Sequence, residues 1–73
     1  MLHTTHTARI TGPIEIVAHD GHARTIPVGP CLVEELSGDL VDIVWGTAGE
    51  KSAVVPTAAA EDAEREGRLV LLD

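Results

Sequence analysis

Apolar side chains recur along this chain in short runs, interrupted at Gly12-Pro13, Asp20-Gly21, Gly29-Pro30, Ser37-Gly38-Asp39, Gly46 to Gly49, Pro56 and Gly67. Short apolar runs bounded by turn residues predict strands. Ala8 to Thr11 and Ile14 to His19 are rich in β-branched residues, and Ile14-Glu15-Ile16 alternates with the period of a half-buried strand. Asp20-Gly21 suits a two-residue turn that needs positive φ, so Ala23 to Val28 should fold back antiparallel, with Pro27 marking an edge or a break. That turn sets His19 opposite His22, Val17 opposite Arg24 and Glu15 opposite Ile26, leaving Ile14, Ile16 and Ala18 on the other face. Ile26 and Val28 would then look outward. The conflict leaves a bulge or a longer loop open as alternatives.

A second hairpin is predicted from Cys31 to Leu36, turning at Gly38-Asp39 as type II′, and returning from Leu40 to Trp45. In that register Leu36 opposes Val41, Glu34 opposes Ile43 and Leu32 opposes Trp45. Glu35 opposes Asp42 and Val33 opposes Val44 on the other face. The face with Leu, Val, Ile and Trp is the expected core, with Trp45 packed on Leu32. After a loop at Gly46 to Gly49, Glu50 to Val55 reads as a strand ending at Pro56. Thr57 can cap a short helix running to Glu66, with Glu61 and Asp62 early, where the dipole favours anions, and Gly67 as terminator. Arg68 to Leu72 closes the chain as a strand. Its four consecutive apolar residues imply burial on both sides or against a partner subunit.

The layout is therefore mainly β, with five to six short strands and one short helix before the last strand. Residues 1–7 read as a mobile N-terminal tail and residues 8–73 as a single small β domain. Over residues 8–72 this order resembles the SH3-like small barrels, which implies an antiparallel barrel. An open α+β sheet with the helix on one face is the alternative. Peptide-binding SH3 domains line their groove with several aromatics, whereas Trp45 is the only aromatic here. Plasmid-type dihydrofolate reductase is another barrel of this size, but the comparable stretch Ser52 to Pro56 lacks the Gln and Tyr that hold its ligands.

Composition narrows the functional classes. Twelve acidic residues against five basic ones give a net charge of −7, and Arg9, Arg24, Lys51, Arg65 and Arg68 are scattered, which disfavours nucleic acid as a partner. The longest apolar run, Leu69 to Leu72, is far below the roughly 20 residues of a membrane span, so no membrane partner is expected. The first residues carry no export signal, and the single Cys31 fits a reducing compartment, so a cytoplasmic location is expected. A thin aliphatic core in 73 residues favours a homo-oligomer.

Candidate chemistry is sparse. His3/His6 and His19/His22 form two His-x-x-His pairs, and flanking a tight turn His19 and His22 would share a face at ~5 Å, with Glu15 further along as a third donor. Glu35 opposite Asp42, with Glu34 and Asp39 nearby, reads as a carboxylate cluster suited to a hard cation or as solvated charge on an exposed face. Cys31 lacks any basic neighbour, and Ser37 and Ser52 lie outside a nucleophile elbow. No catalytic, cofactor or metal residue is assigned. The expectation is a non-catalytic cytoplasmic protein-binding or self-assembly module. The alternatives are a divalent-metal-binding protein using the His19/His22 pair, and a small enzyme with its site at an oligomer interface.

Overall fold

The computed structural model describes residues 4–17 and 20–72. Within them the chain forms seven strands and one helix. In order these are β1 (Thr5–Ile10), β2 (Ile14–Val17), β3 (Ala23–Ile26), β4 (Gly29–Glu35), β5 (Leu40–Trp45), β6 (Lys51–Pro56), α1 (Thr57–Arg65) and β7 (Leu69–Leu71). Five of the strands make one antiparallel sheet in the order β6-β5-β4-β1-β7, and β2 and β3 make a separate two-stranded sheet. The fold is mainly β as expected, with more strands than the five to six counted from sequence. The five-stranded sheet has two free ends, β6 and β7, and so does not close into the barrel that the SH3-like layout implied.

β1 begins at Thr5, so Thr5, His6 and Thr7 pair with Glu34, Val33 and Leu32 instead of belonging to a tail. Every strand of the large sheet alternates, and one face becomes the core. Ala8 and Ile10, Cys31 and Val33, Val41 and Ile43, Ala53 and Val55, and Leu69 all turn to the same side and are buried. Ile14 and Ile26 from the small hairpin and Ala60 and Ala63 from α1 cover that face, with Ile16 and Trp45 packed at its margin. The two alanines lie three apart on α1, where their small size lets the helix lie close to the sheet.

Both predicted hairpins are out of register by one residue. In the first, Val17 pairs with Ala23, Glu15 with Thr25 and Ile14 with Ile26, so the connection spans residues 18–22 instead of two residues. This is the longer loop that the Ile26 conflict called for. A slip of one exchanges the faces of one strand, and it brings Ile26 to full burial opposite Ile14. In the second hairpin Leu36 N–H and Ser37 N–H both donate to the Leu40 carbonyl, at 3.1 and 3.3 Å, which makes a three-residue loop of Ser37-Gly38-Asp39. Gly38 lacks the positive φ of a type II′ turn. Cys31 therefore opposes Trp45, Val33 opposes Ile43, and Glu34 opposes Asp42. Leu32 moves to the outer face, 43% exposed, so Trp45 does not pack on it as expected.

Pro56, not Thr57, is the N-cap of α1, and no side chain caps the helix. Thr57 is the first helical residue. Its N–H donates to the Asp39 carbonyl at 2.8 Å, tying the helix start to the β4–β5 loop, and its Oγ1 is buried without a partner. Glu61 and Asp62 fall in the second turn, since the first holds no acidic residue. The other end follows expectation. Gly67 takes φ +78°, its N–H donates to the Glu64 carbonyl, and Arg68 N–H donates to the Ala63 carbonyl. That pair of bonds is a Schellman motif, and it turns the chain directly into β7.

Gly46 and Gly67 should differ in how badly they tolerate a side chain. At Gly67 a Cβ meets nothing within 4 Å, so Gly67→Ala costs only the left-handed backbone penalty of roughly 1–2 kcal/mol. At Gly46, with φ +99°, a Cβ would lie 2.7 Å from Glu50 Oε2, whose carboxylate also accepts the Ala48 N–H at 2.9 Å. Gly46→Ala should therefore lower the melting temperature further than Gly67→Ala, for which a fall of about 4–8 °C per kcal/mol applies in a domain of this size. Thermal unfolding by circular dichroism checks the order; equal losses would mean that Glu50 moves aside freely.

Candidate interaction surface

In an antiparallel ladder directly opposed residues share a face. The outer face of the large sheet therefore carries Val70 on β7; Thr5, Thr7 and Arg9 on β1; Pro30, Leu32 and Glu34 on β4; Asp42 and Val44 on β5; and Ser52 and Val54 on β6. Neither the small hairpin nor α1 covers this side, because both pack on the opposite one. Leu72 extends the face beyond β7, donating its N–H to the Thr7 carbonyl at 2.8 Å. One cross-strand row thus reads Leu72, Thr7, Leu32, Val44, Ser52. Its centre is a shallow groove floored by Leu32 and Val44 and walled by the loop from Gly46 to Gly49.

The two ends of the sheet are chemically unlike. β6 begins with the charged Lys51 and ends with Pro56, a residue that has no N–H to offer a neighbouring strand. β7 is Leu-Val-Leu, followed by Leu72. Leu69 is buried, while Val70, Leu71 and Leu72 are 42%, 37% and 58% exposed. Soluble proteins blunt edge strands with charges, prolines or bulges. β6 shows two of these devices and β7 none. Of the burial expected on both sides of this strand or against a partner subunit, the chain itself supplies only that of Leu69.

Trp45 is half-buried at the rim of the core face, where three surface grooves meet. It borders one groove with Pro27, Val28 and Pro30, a second with Arg24 and Lys51, and the groove over Leu32 and Val44. An aromatic ring shared between core packing and open surface suits protein contact.

The predicted ligand sets are not assembled. His3 and His19 lie outside the described residues, and with them one member of each His-x-x-His pair. His22 is exposed; its backbone N–H donates to Asp20 Oδ1 at 3.0 Å, and the other Asp20 oxygen lies 3.1 Å from Arg24 Nη2. These bonds, the His22 N–H first, hold the Asp20 carboxyl down to about 2. His6 sits on β1 with Nε2 2.8 Å from Glu35 Oε2. No group of three or more His, Cys, Asp or Glu side chains is placed to hold a metal ion among the described residues. Cys31 is buried on the core face, and burial pushes its thiol up, away from nucleophile chemistry.

The carboxylates that do meet are Glu34 and Asp42, directly opposed on the outer face, where sequence had paired Glu35 with Asp42. Asp42 Oδ1 is buried without a hydrogen-bond partner, and the Asp42 carboxyl is pushed up, by desolvation first and by Glu34 second. A carboxyl whose folded pKa exceeds its unfolded value holds its proton more tightly when folded. Its contribution to stability therefore falls as pH rises from the ordinary value of 3.8 through the raised one. Asp42→Asn should stabilise the protein at pH 7 by about 0.2–1 kcal/mol, the size of a like-charge cross-strand pair. The gain should shrink toward zero as both carboxyls protonate below about pH 4. Melting temperatures of both proteins across that pH range check it, and a pH-independent difference would remove the electrostatic explanation.

No protein-family model, curated protein or solved structure matches the chain.

Proposed function

We propose that this chain is a non-catalytic protein-binding or self-assembly module acting through the β7 edge and the aliphatic strip beside it. One observation carries the reading: a sheet edge made only of aliphatic residues, half-exposed at Val70, Leu71 and Leu72, in a chain of net charge −7. A strand edge offers main-chain donors and acceptors to a partner strand, and alternate side chains supply the specificity. Leu32 and Val44 widen the apolar strip beyond the edge, and Trp45 provides an anchor at its far end. The single cysteine, buried on the core face, supports placing the module in a reducing compartment such as the cytoplasm.

A photo-crosslinking amino acid at Val70, compared with one at Glu61 on the exposed side of α1, tests this in cells expressing the protein. Covalent adducts heavier than the chain should form from position 70 and not from 61. Their absence at 70, or equal yields at both positions, would end the proposal.

A further inference from the structure

We infer that the partner of β7 is a second copy of this chain, paired antiparallel about a twofold axis at Val70 so that two five-stranded sheets become one of ten strands. This deepens the preceding reading and rests on it. The phase of the β1–β7 ladder sets the geometry. Arg68 C=O accepts from Thr11 N–H and Leu72 N–H donates to Thr7 C=O, both at 2.8 Å. Hydrogen-bonded pairs recur at every second residue, so the main-chain groups of Arg68, Val70 and Leu72 turn toward β1. Those of Leu69 and Leu71 turn toward the open edge, where β7 has no further neighbour among the described strands.

A twofold axis normal to the sheet keeps each residue on its own face, so only residues of like parity can oppose one another across it. Pairing Leu71 with its own copy, or Leu69 with its own copy, gives two main-chain bonds within β7. Pairing Leu69 with Leu71 of the other copy gives four, two on each side of the axis, and uses every outward donor and acceptor of the strand. Val70 then opposes Val70 as a non-hydrogen-bonded pair, the closer kind, with Cα atoms ~4.5 Å apart. The half-exposed Val70 and Leu71 are both covered.

Charge favours this edge for self-pairing. The charged residues of this ladder nearest the axis are Arg9, next to Val70 on β1, and Arg68, opposite Thr11. In the joined sheet the two Arg9 positions are three strand spacings, ~14 Å, apart. That exceeds the Debye length of about 8 Å at physiological salt, so among the described ladder residues no like charges of the two chains oppose one another at close range. A β7-to-β6 contact would instead propagate as an open filament, and Lys51 and Pro56 on β6 oppose it, so the assembly closes as a dimer.

Light scattering on the purified chain at about 100 µM should give twice the 7.7 kDa chain mass, as suits a small, weak interface. Val70→Cys should form an intermolecular disulfide on mild oxidation, because facing Cα atoms ~4.5 Å apart fall within the range a disulfide spans. Leu72→Cys, which would face Arg68 of the other copy, should crosslink at least tenfold more slowly. Val70→Lys and Val70→Glu should each be monomeric and should recover the dimer mass when mixed. A monomeric wild-type chain would overturn the inference, as would Leu72→Cys crosslinking as fast as Val70→Cys. If the wild type is monomeric while the photo-crosslinker at Val70 captures a different protein, self-pairing falls and the binding reading stands. If it captures nothing, both fall.

Discussion

One-sided burial of a five-stranded sheet is the constraint on which the rest of this molecule depends. The core face has only aliphatic residues, Cys31 and the margin of Trp45 to fill it. Cover comes from two small pieces, Ile14 and Ile26 on a two-stranded hairpin and Ala60 and Ala63 on a helix of nine residues. Both pieces are needed on that side. Among the described residues no element covers the outer face or the β7 edge, where Leu32, Val70, Leu71 and Leu72 are exposed.

The register of each hairpin follows from the same requirement. A one-residue slip exchanges the two faces of a strand, so burial chooses the register wherever one alternative hides more apolar surface. For β2 and β3 the choice is sharp, since only the observed pairing puts Ile14 and Ile26 together. For β4 and β5 it places the smaller Cys31 and Val33 inside and leaves Leu32 and Leu36 out, with Glu34 forced against Asp42. That like-charged pair, with one Asp42 oxygen buried and unpartnered, is a local cost of a register selected by the core.

Asymmetry between the two sheet ends has a comparable origin. β6 is joined to α1 through Pro56, which serves at once as the helix N-cap and as the stop on that edge. β7 follows the helix through a Schellman turn at Gly67 and must place Leu69 in the core, which fixes the orientation of the residues after it. With Leu69 inward, Val70 is necessarily outward. Three aliphatics in succession cannot all be buried by a strand that has a neighbour on one side only.

The amino-acid sequence by itself determined the alternation of short strands, the places where the chain turns, the lone helix after Pro56 and its stop at Gly67. These are local matters, decided by backbone conformations that glycine and proline permit or forbid. It also pointed to Leu69 to Leu72 as a segment wanting a second surface. Register was not legible, because Leu32-Val33, Leu40-Val41 and Ile43-Val44 place apolar residues on both faces and so fit two pairings equally. Tertiary structure decided it, since only the shared core makes one face worth more than the other. The same packing put Glu34 opposite Asp42, left Leu32 outside and exposed β7 as an unguarded edge, none of which a pattern along the chain specifies.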